Sequence, residues 1–200
     1  MGLSSGDSSI LSYKKRRIIL VSMKPIIITI SGFHGVGKST LSKYISNKYG
    51  LKRISSGEIF RRLAVERGLT IEEFSKMAEE DPCIDSLIDE IMVKECLQGG
   101  CVADGLLAGW FLKEVADIKI WLKSPLEIRV KRICEREGRG YEEVYRETVY
   151  REDSEVKRFK DFYDIDVYDL SIYDIVIDTS KIGLNTLFQV VDLLIKDLDK

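Results

Sequence analysis

The chain has 200 residues, of which 44% are hydrophobic and 32% charged, and its formal net charge at pH 7 is −2. This length and hydrophobic content suit one globular domain, and the near-neutral charge argues against bulk nucleic-acid binding. The four cysteines are scattered without a Cys-x-x-Cys pair, and His34 is the single histidine, so we expect no zinc site and a reduced cytoplasmic setting.

The first 23 residues are rich in serine and glycine, then basic, then briefly apolar. The apolar piece is too short for a signal peptide or a membrane span, which needs about 18 apolar residues. We interpret 1–23 as a tail or as a mis-assigned start with Met23 as the true one, and we expect a single domain over 24–200. No later segment has the composition of a membrane span, so we expect no membrane partner.

From residue 24 onward, predicted strands alternate with predicted helices. Apolar runs, several of them rich in β-branched residues, predict strands at 26–30, 51–55, 101–104, 117–122 and 173–178. Helical periodicity predicts helices at 38–49, 57–68, 70–81, 85–97 and 184–198, and a long helical stretch at 125–160 broken near Gly138 and Gly140. Capping boxes are expected at Thr70-x-x-Glu73 and Ser124-x-x-Glu127.

Strands separated by helices favour an α/β fold with a parallel sheet covered by helices on both faces. Two helical regions, at about 56–98 and 138–160, are longer than simple crossovers need. We interpret them as inserted arms that lie over one edge of the sheet.

The segment SGFHGVGKST lies directly after the first strand and opens the first helix, and it fits the pattern G-x-x-x-x-G-K-[ST]. Glycines let successive N–H groups point at a phosphate, and the helix N-terminus adds its positive dipole end. Lys38 supplies a cation for the β- and γ-phosphates, and the Ser39 hydroxyl is a ligand for Mg²⁺. The sequence therefore predicts a loop that binds a nucleoside triphosphate, formed by Gly32, Phe33, His34, Gly35, Val36, Gly37, Lys38, Ser39 and Thr40. We interpret His34 as a variable spacer in this loop rather than as a base.

A phosphate-binding loop does not by itself choose between a GTPase, an ATPase and a kinase. A GTPase would need Asn-Lys-x-Asp, and the chain offers only NKYG at 47–50, without the aspartate. Asp104 ends a predicted strand, where a carboxylate can hold Mg²⁺ directly or through water. Arginines follow at helical spacing, namely Arg129, Arg132 and Arg136, opposite an apolar face of Leu126, Val130 and Ile133, and then Arg151 and Arg158 with Glu155 between them.

An ordinary solvated face laced with ion pairs would show the same arginine pattern, and this alternative stays open. Transfer of a phosphoryl group between a nucleoside triphosphate and a phosphorylated acceptor instead requires such cations, because it brings about six negative charges together. An acceptor phosphate is already an anionic nucleophile and needs no general base. The residues thus indicate a kinase for a small phosphorylated acceptor.

The chain resembles the archaeal cytidylate kinases of the nucleoside monophosphate kinase superfamily. The resemblance rests on GVGKST, SSGEIFRRLA, EEFSKMAEEDPCID, DGLLAGW, IKIWLKSPLEIRVKRI, YREDSEVKRFKDFYDID and LSIYDIVIDTSK, which together cover about 24–190. It implies a P-loop NTPase fold with a five-stranded parallel sheet, a monophosphate-binding arm and a lid. It also implies transfer of the ATP γ-phosphate to CMP or dCMP in the presence of Mg²⁺.

The resemblance also implies roles for residues at matching positions. Ser56, Gly57 and Arg61 would line the monophosphate arm, with Arg61 on the acceptor phosphate. Arg132 would contact ATP with Arg136 close behind, and DTSK at 178–181 would border the adenine. In the Arg-x-x-x-acid-x-x-Arg pattern, Arg151 would face phosphate, while Glu155 and Arg158 would read the cytosine.

The chain departs from the family pattern at Leu106, where related enzymes generally carry an arginine after the Asp/Glu-Gly pair. We expect Arg62 to replace the missing cation. Two alternatives to a CMP kinase are kept: a kinase for another small acceptor such as AMP or UMP, and a P-loop ATPase that serves as a binding module. The expected partners are small nucleotides, and the sequence leaves the oligomeric state open, with a monomer as our expectation.

Overall fold

The structure is a computed structural model that describes residues 25–198. The expected tail at 1–23 lies outside the described residues. Within 25–198, none of the helices has the length and apolar character needed to cross a membrane.

The centre of the described chain is a parallel sheet of five strands. They are β1 (Ile27–Ser31), β2 (Lys52–Ser55), β3 (Cys101–Asp104), β4 (Ile118–Lys123) and β5 (Ile175–Asp178). The strands lie in the order β2-β3-β1-β4-β5, and every pair is parallel. The predicted five-stranded α/β fold is confirmed. Because β3 and β4 flank β1, the carboxyl ends of these three strands meet at one edge of the sheet.

Eight helices accompany the strands in the described part of the chain. They are α1 (Lys38–Tyr49), α2 (Ser56–Glu66), α3 (Ile71–Glu80), α4 (Pro82–Cys96), α5 (Ala108–Phe111), α6 (Leu126–Glu137), α7 (Tyr141–Tyr163) and α8 (Leu184–Leu198). Helices α2 to α4 fill the range expected for the first arm. The long charged stretch breaks between α6 and α7 as predicted, where Gly138 has a left-handed φ of 67°.

Alternation along β1 explains why helices cover both faces of the sheet. Ile27 packs in a buried cluster with side chains of α2, α3 and α4. Ile28 and Ile30 point to the other face and pack with side chains of α1 and α8. A strand that is apolar on both sides must be covered on both sides, and all five residues of β1 are buried.

The two predicted capping boxes have different outcomes. Thr70 accepts from the backbone N–H of Glu73 at 3.2 Å, and the Glu73 carboxylate accepts from the backbone N–H of Thr70 at 2.8 Å, so this box is confirmed. The box at Ser124 is wrong, because α6 begins at Leu126 with Pro125 as its N-cap. The extended ψ of 144° at Pro125 moves the helix start one residue beyond the predicted position.

Candidate active site

The loop between β1 and α1 has the geometry of a phosphate-binding loop. Gly32 and Gly37 have φ of 138° and 101°, and a Cβ on Gly32 would lie 2.3 Å from the carbonyl oxygen of Leu122. Lys38 donates from Nζ to the carbonyl oxygens of Gly32 at 2.5 Å and Phe33 at 3.0 Å. Burial lowers the pKa of Lys38 against the opposing effect of Asp104 and other nearby carboxylates. The Lys38 side chain thus lies over its own loop. Burying its positive charge costs free energy unless an anion binds beside it.

A cavity of about 1090 Å³ runs from this loop along the carboxyl edge of the sheet to α4 and α7. It lies at the upper end of the range of about 300–1,000 Å³ that is typical of ligand-binding pockets. Most of the residues expected to bind substrate line it: His34, Gly35, Val36, Gly37, Lys38, Ser39, Thr40, Ser56, Gly57, Arg61, Asp104, Arg132, Arg136, Arg151, Glu155 and Arg158. Parallel α/β folds bind ligands at this edge of the sheet.

Asp104 ends β3 and is almost fully buried, 2% exposed. Its two carboxylate oxygens accept from the hydroxyls of Ser42 at 2.6 Å and Ser55 at 2.9 Å, and Arg53 forms an ion pair with it at 2.8 Å. Ser39 is exposed on the cavity wall at the first turn of α1. Neither Arg53 nor the two serines was singled out in the sequence, because their contacts with Asp104 join residues 49 and more positions apart.

Three arginines that line the cavity have no carboxylate within ion-pair distance in the described range 25–198, and one of them, Arg132, binds Thr179 instead. Arg61 on α2 and Arg151 on α7 form no ion pair with any residue in the described range 25–198. Arg62 differs from its neighbour, because it does not line the cavity and lies 3.8 Å from Glu66 on the exposed face of α2. One residue along a helix turns the side chain by about 100°, which separates the two arginines. The structure therefore does not bring Arg62 to the place where we expected compensation for Leu106.

Leu106 is buried, and it packs with Leu107, Trp121, Phe159 and Tyr173 at the base of the cavity. The position at which the resemblance implies an arginine is thus part of an apolar cluster. This wall of the cavity offers packing and no charge.

On the other side of the cavity, Arg132 connects α6 to the loop after β5. Its guanidinium donates to the Thr179 hydroxyl at 2.9 Å and to the Thr179 carbonyl at 2.8 Å. Arg136 lies one turn further along α6, is largely exposed, and pairs with Glu137. The expected neighbourhood of Arg132 and the DTSK loop is therefore present, and Arg136 lies at the open rim beside the turn between α6 and α7.

Arg129 is the exception among the three arginines of α6, because it faces the interior and is 6% exposed. It binds both carboxylate oxygens of Glu152 and donates to the carbonyl of His34 at 2.9 Å. Glu152 also accepts from the backbone N–H of His34 at 3.0 Å. Arg129 thus holds α6, α7 and the phosphate-binding loop together and is not part of a solvated arginine face.

His34 and Glu155 have a direct contact that the sequence did not indicate. The imidazole Nε2 lies 2.9 Å and 3.1 Å from the two carboxylate oxygens of Glu155. Burial by itself would raise the pKa of Glu155, but His34, Arg151 and Arg158 outweigh it and lower the pKa to about 2. His34 is therefore more than a spacer, and Glu155 has both oxygens engaged by a residue of the phosphate-binding loop.

Beyond Glu155, the cavity is bounded by two aspartates of α4. Asp85 is 6% exposed and accepts from Arg158 Nε at 2.8 Å, and Asp89 accepts from the Tyr163 hydroxyl at 3.0 Å. Both aspartates line the cavity. Sequence reasoning missed them, although the signal was present: they share with Ile88 a helix face that is otherwise apolar.

Comparisons with known proteins agree with this geometry. Residues 27–181 match the family model described as the cytidylate kinase-like family. The chain belongs to the cytidylate kinase-like family. It is accordingly an enzyme, a nucleoside monophosphate kinase. Curated relatives named cytidylate kinase include one from Pyrococcus horikoshii, 44% identical over 87% of this chain and 90% of the relative. Another, from Methanocella arvoryzae, is 46% identical over 88% of this chain and 99% of the relative.

Solved structures with low sequence identity share the fold. An uncharacterized protein from Eubacterium ventriosum aligns with a TM-score of 0.64 at 20% identity, over 88% of this chain and 99% of that one. Shikimate kinase from Bacteroides thetaiotaomicron aligns with a TM-score of 0.57 at 14% identity, over 86% of this chain and 98% of that one. These matches support the P-loop kinase fold alone.

Proposed function

We propose that this kinase transfers the γ-phosphoryl group of ATP to CMP and dCMP, giving ADP and the corresponding diphosphate. The observation that carries the proposal is one continuous cavity, which begins at Lys38 and continues past Arg61 and Arg151 to a polar wall between α4 and α7. The curated relatives named cytidylate kinase support the identity of the acceptor.

The donor end of the cavity fits ATP. In the proposed complex, Lys38 leaves the carbonyls of its loop and pairs with the β- and γ-phosphates. Arg132 and the loop at 178–181 border the adenine, and apolar side chains of Ile182 and Leu184 complete this wall. Arg136 at the rim adds positive charge from the turn between α6 and α7 when that turn closes over the phosphates.

The acceptor phosphate is assigned to Arg61 and Arg151. Both guanidiniums face the cavity from opposite elements, α2 and α7, and in the described residues neither forms an ion pair with a carboxylate. Ser56 and Gly57 at the N-terminus of α2 lie beside them on the cavity wall. A phosphate oxygen between these cations is already a nucleophile, so positioning and charge neutralisation suffice for transfer.

Mg²⁺ fits this site. When bound, it neutralises phosphate charge and draws most of its ligands from phosphate and water. Ser39 provides a hydroxyl at the cavity wall, and Asp104 lies behind it. Because the Asp104 oxygens accept from Ser42 and Ser55, we propose that this carboxylate holds the ion through water. In 25–198 there is no cluster of three acidic, histidine or cysteine side chains that would form a protein-only metal site.

We place the reaction in the cytoplasm. The four cysteines, Cys83, Cys96, Cys101 and Cys134, are free thiols, as a reducing compartment requires.

The test is an ADP-release assay on the purified full-length chain with MgATP and one acceptor at a time: CMP, dCMP, UMP, AMP or none. We expect CMP and dCMP to raise the rate by about 10² or more over the rate without acceptor, with CDP or dCDP as the second product. Turnover that is independent of any acceptor would favour an ATPase. A preference for AMP or UMP would overturn the acceptor assignment. Lys38→Met should remove the activity in every case.

A further inference from the structure

The far wall of the cavity, between α4 and α7, offers three carboxyl groups to an acceptor base. Glu155, Asp85 and Asp89 all line the cavity. Along α7, Glu155 contacts the phosphate-binding loop, whereas Tyr163 lies eight residues, or about 12 Å, further on. Asp89, which accepts from Tyr163, therefore lies at the end of the cavity remote from the phosphates.

The three carboxyl groups differ in the hydrogen bonds that they already accept. Both oxygens of Glu155 lie within 3.1 Å of His34 Nε2. Both oxygens of Asp85 face Arg158, at 2.8 Å and 3.5 Å. Asp89 accepts from Tyr163 through Oδ2, while its Oδ1 accepts no hydrogen bond from the residues that the structure describes. Among the three, Asp89 therefore has the one oxygen with no donor from the described residues, and this oxygen can accept from a ligand.

We propose that Asp89 is the specificity-determining residue for the acceptor base, accepting a hydrogen bond from the exocyclic amino group of cytosine, with Tyr163 fixing the carboxyl group. This inference rests on the proposed function. It moves base recognition from Glu155 and Arg158, to which the family resemblance assigned it, to α4. The neighbouring side chains Phe60, Ile88 and Met92 line the same cavity with apolar surface that suits the flat base.

The protonation of Asp89 gives the assignment a distinctive signature. Burial raises the pKa of Asp89 to about 8, with a further increase from Asp85 and a partial decrease from the Tyr163 hydrogen bond. The titratable groups that act on it are Asp85 on its own helix and Tyr163 on α7, and Arg158 and Glu155 on α7 act in turn on Asp85. Below the pKa, the neutral carboxyl group accepts from the amino group of cytosine through its carbonyl oxygen but can also donate to the carbonyl of uracil. Above it, the carboxylate can only accept, so uracil is disfavoured.

The sign of the pH effect follows from this exchange of donor and acceptor. Raising the pH through about 8 ionises Asp89, so kcat/KM for CMP should rise relative to that for UMP. Between pH 6.5 and pH 8.5 we expect the CMP:UMP ratio to increase by about tenfold or more. Ionisation of the acceptor phosphate affects both nucleotides alike and cancels in the ratio.

The experiment measures kcat/KM for CMP, dCMP and UMP at both pH values. It compares the wild type with Asp89→Asn, Glu155→Gln and the matched control Glu90→Gln, an exposed acid one position along α4. An amide donates to uracil, so Asp89→Asn should lower the CMP:UMP ratio at pH 8.5 by about tenfold or more and abolish its pH dependence. Glu155→Gln and Glu90→Gln should keep that dependence.

The inference would be overturned if Asp89→Asn left the CMP:UMP ratio and its pH profile unchanged. It would also be overturned if only the CMP:dCMP ratio changed, since that would place Asp89 at the sugar. If Asp89→Asn does not fold, Tyr163→Phe provides the second test: loss of the hydroxyl raises the pKa of Asp89 further and shifts the midpoint of the ratio to higher pH. An unshifted midpoint would count against the assignment. Absence of stimulation by every monophosphate would instead refute the proposed function.

Discussion

Replacement of Arg129 by methionine should destabilise the protein far more than an ordinary arginine substitution. The Arg129 side chain is 8% exposed and that of Glu152 is 12% exposed, so their ion pair is buried. Arg129 also donates to the carbonyls of Ser124 at 3.0 Å and His34 at 2.9 Å. Methionine fills much of the same volume but leaves a buried carboxylate without its cation.

The magnitude follows from this burial. Removing one partner of a buried pair costs about 3–5 kcal/mol, because the remaining charge is uncompensated. Two carbonyls lose a donor as well, which favours the upper half of the range. The corresponding fall in melting temperature for a chain of this size is on the order of 10 °C.

Urea denaturation and thermal melting measure both quantities. Arg139→Met is the matched control, since Arg139 pairs with carboxylates at the surface, where solvent screens the ion pairs and their loss has little effect on stability. Adding Glu152→Gln to Arg129→Met should restore part of the lost stability by removing the orphaned charge. Equal effects of Arg129→Met and Arg139→Met, or no recovery in the double variant, would refute the buried-pair argument.

Further outcomes are expected at the phosphate sites and in the core. Lys38→Met should lower kcat by at least about 10²-fold, which corresponds to about 2.7 kcal/mol. Folding stability should not fall, because Lys38 contacts only loop carbonyls. A kcat above a third of the wild-type value would contradict the role of Lys38. Arg61→Ala should raise KM for CMP by about tenfold or more in steady-state assays, whereas Arg62→Ala should leave it unchanged; the reverse result would restore the compensation by Arg62. Gly109→Ala should lower the free energy of unfolding, measured by urea denaturation, by about 1–3 kcal/mol, because the added Cβ would lie 2.5 Å from the Tyr173 ring. An unchanged free energy of unfolding would show that the ring shifts freely.

The elements that depend on neighbouring residues could be predicted from the sequence. The apolar run of β1, the glycine and lysine spacing before α1 and the Thr70 capping box each involve a few consecutive positions, and all three are present. The strand order depends on pairings between distant segments, such as Ile28 with Val102 on one side and Ile118 on the other. Local pattern carries no information about those partners, so the order had to come from the structure.

The difference between local and long-range contacts also decides which site residues could be predicted from the sequence. Helical spacing put Arg129 on one face with Arg132 and Arg136, but its partners Glu152 and His34 lie 23 and 95 positions away. The single residue that separates Arg61 from Arg62 decides which of them faces the cavity, and the sequence gives no reference direction for the helix. Side-chain direction becomes known only when the packing of α2 is known.

The departure at Leu106 has a physical explanation in the surrounding residues. An arginine at this position would have to place its charge within the cluster of Leu107, Trp121 and Phe159, where desolvation costs several kcal/mol unless phosphate is bound. Arg151 reaches the cavity from α7, and it forms no ion pair with a carboxylate in the described chain, although its charge lowers the pKa of Glu155. In the proposed complex, Arg151 supplies a cation for the acceptor phosphate while the wall formed by Leu106 stays apolar. Because α7 also carries Glu152 and Glu155, which contact His34, the same helix would connect the phosphate-binding loop to the proposed acceptor end of the cavity.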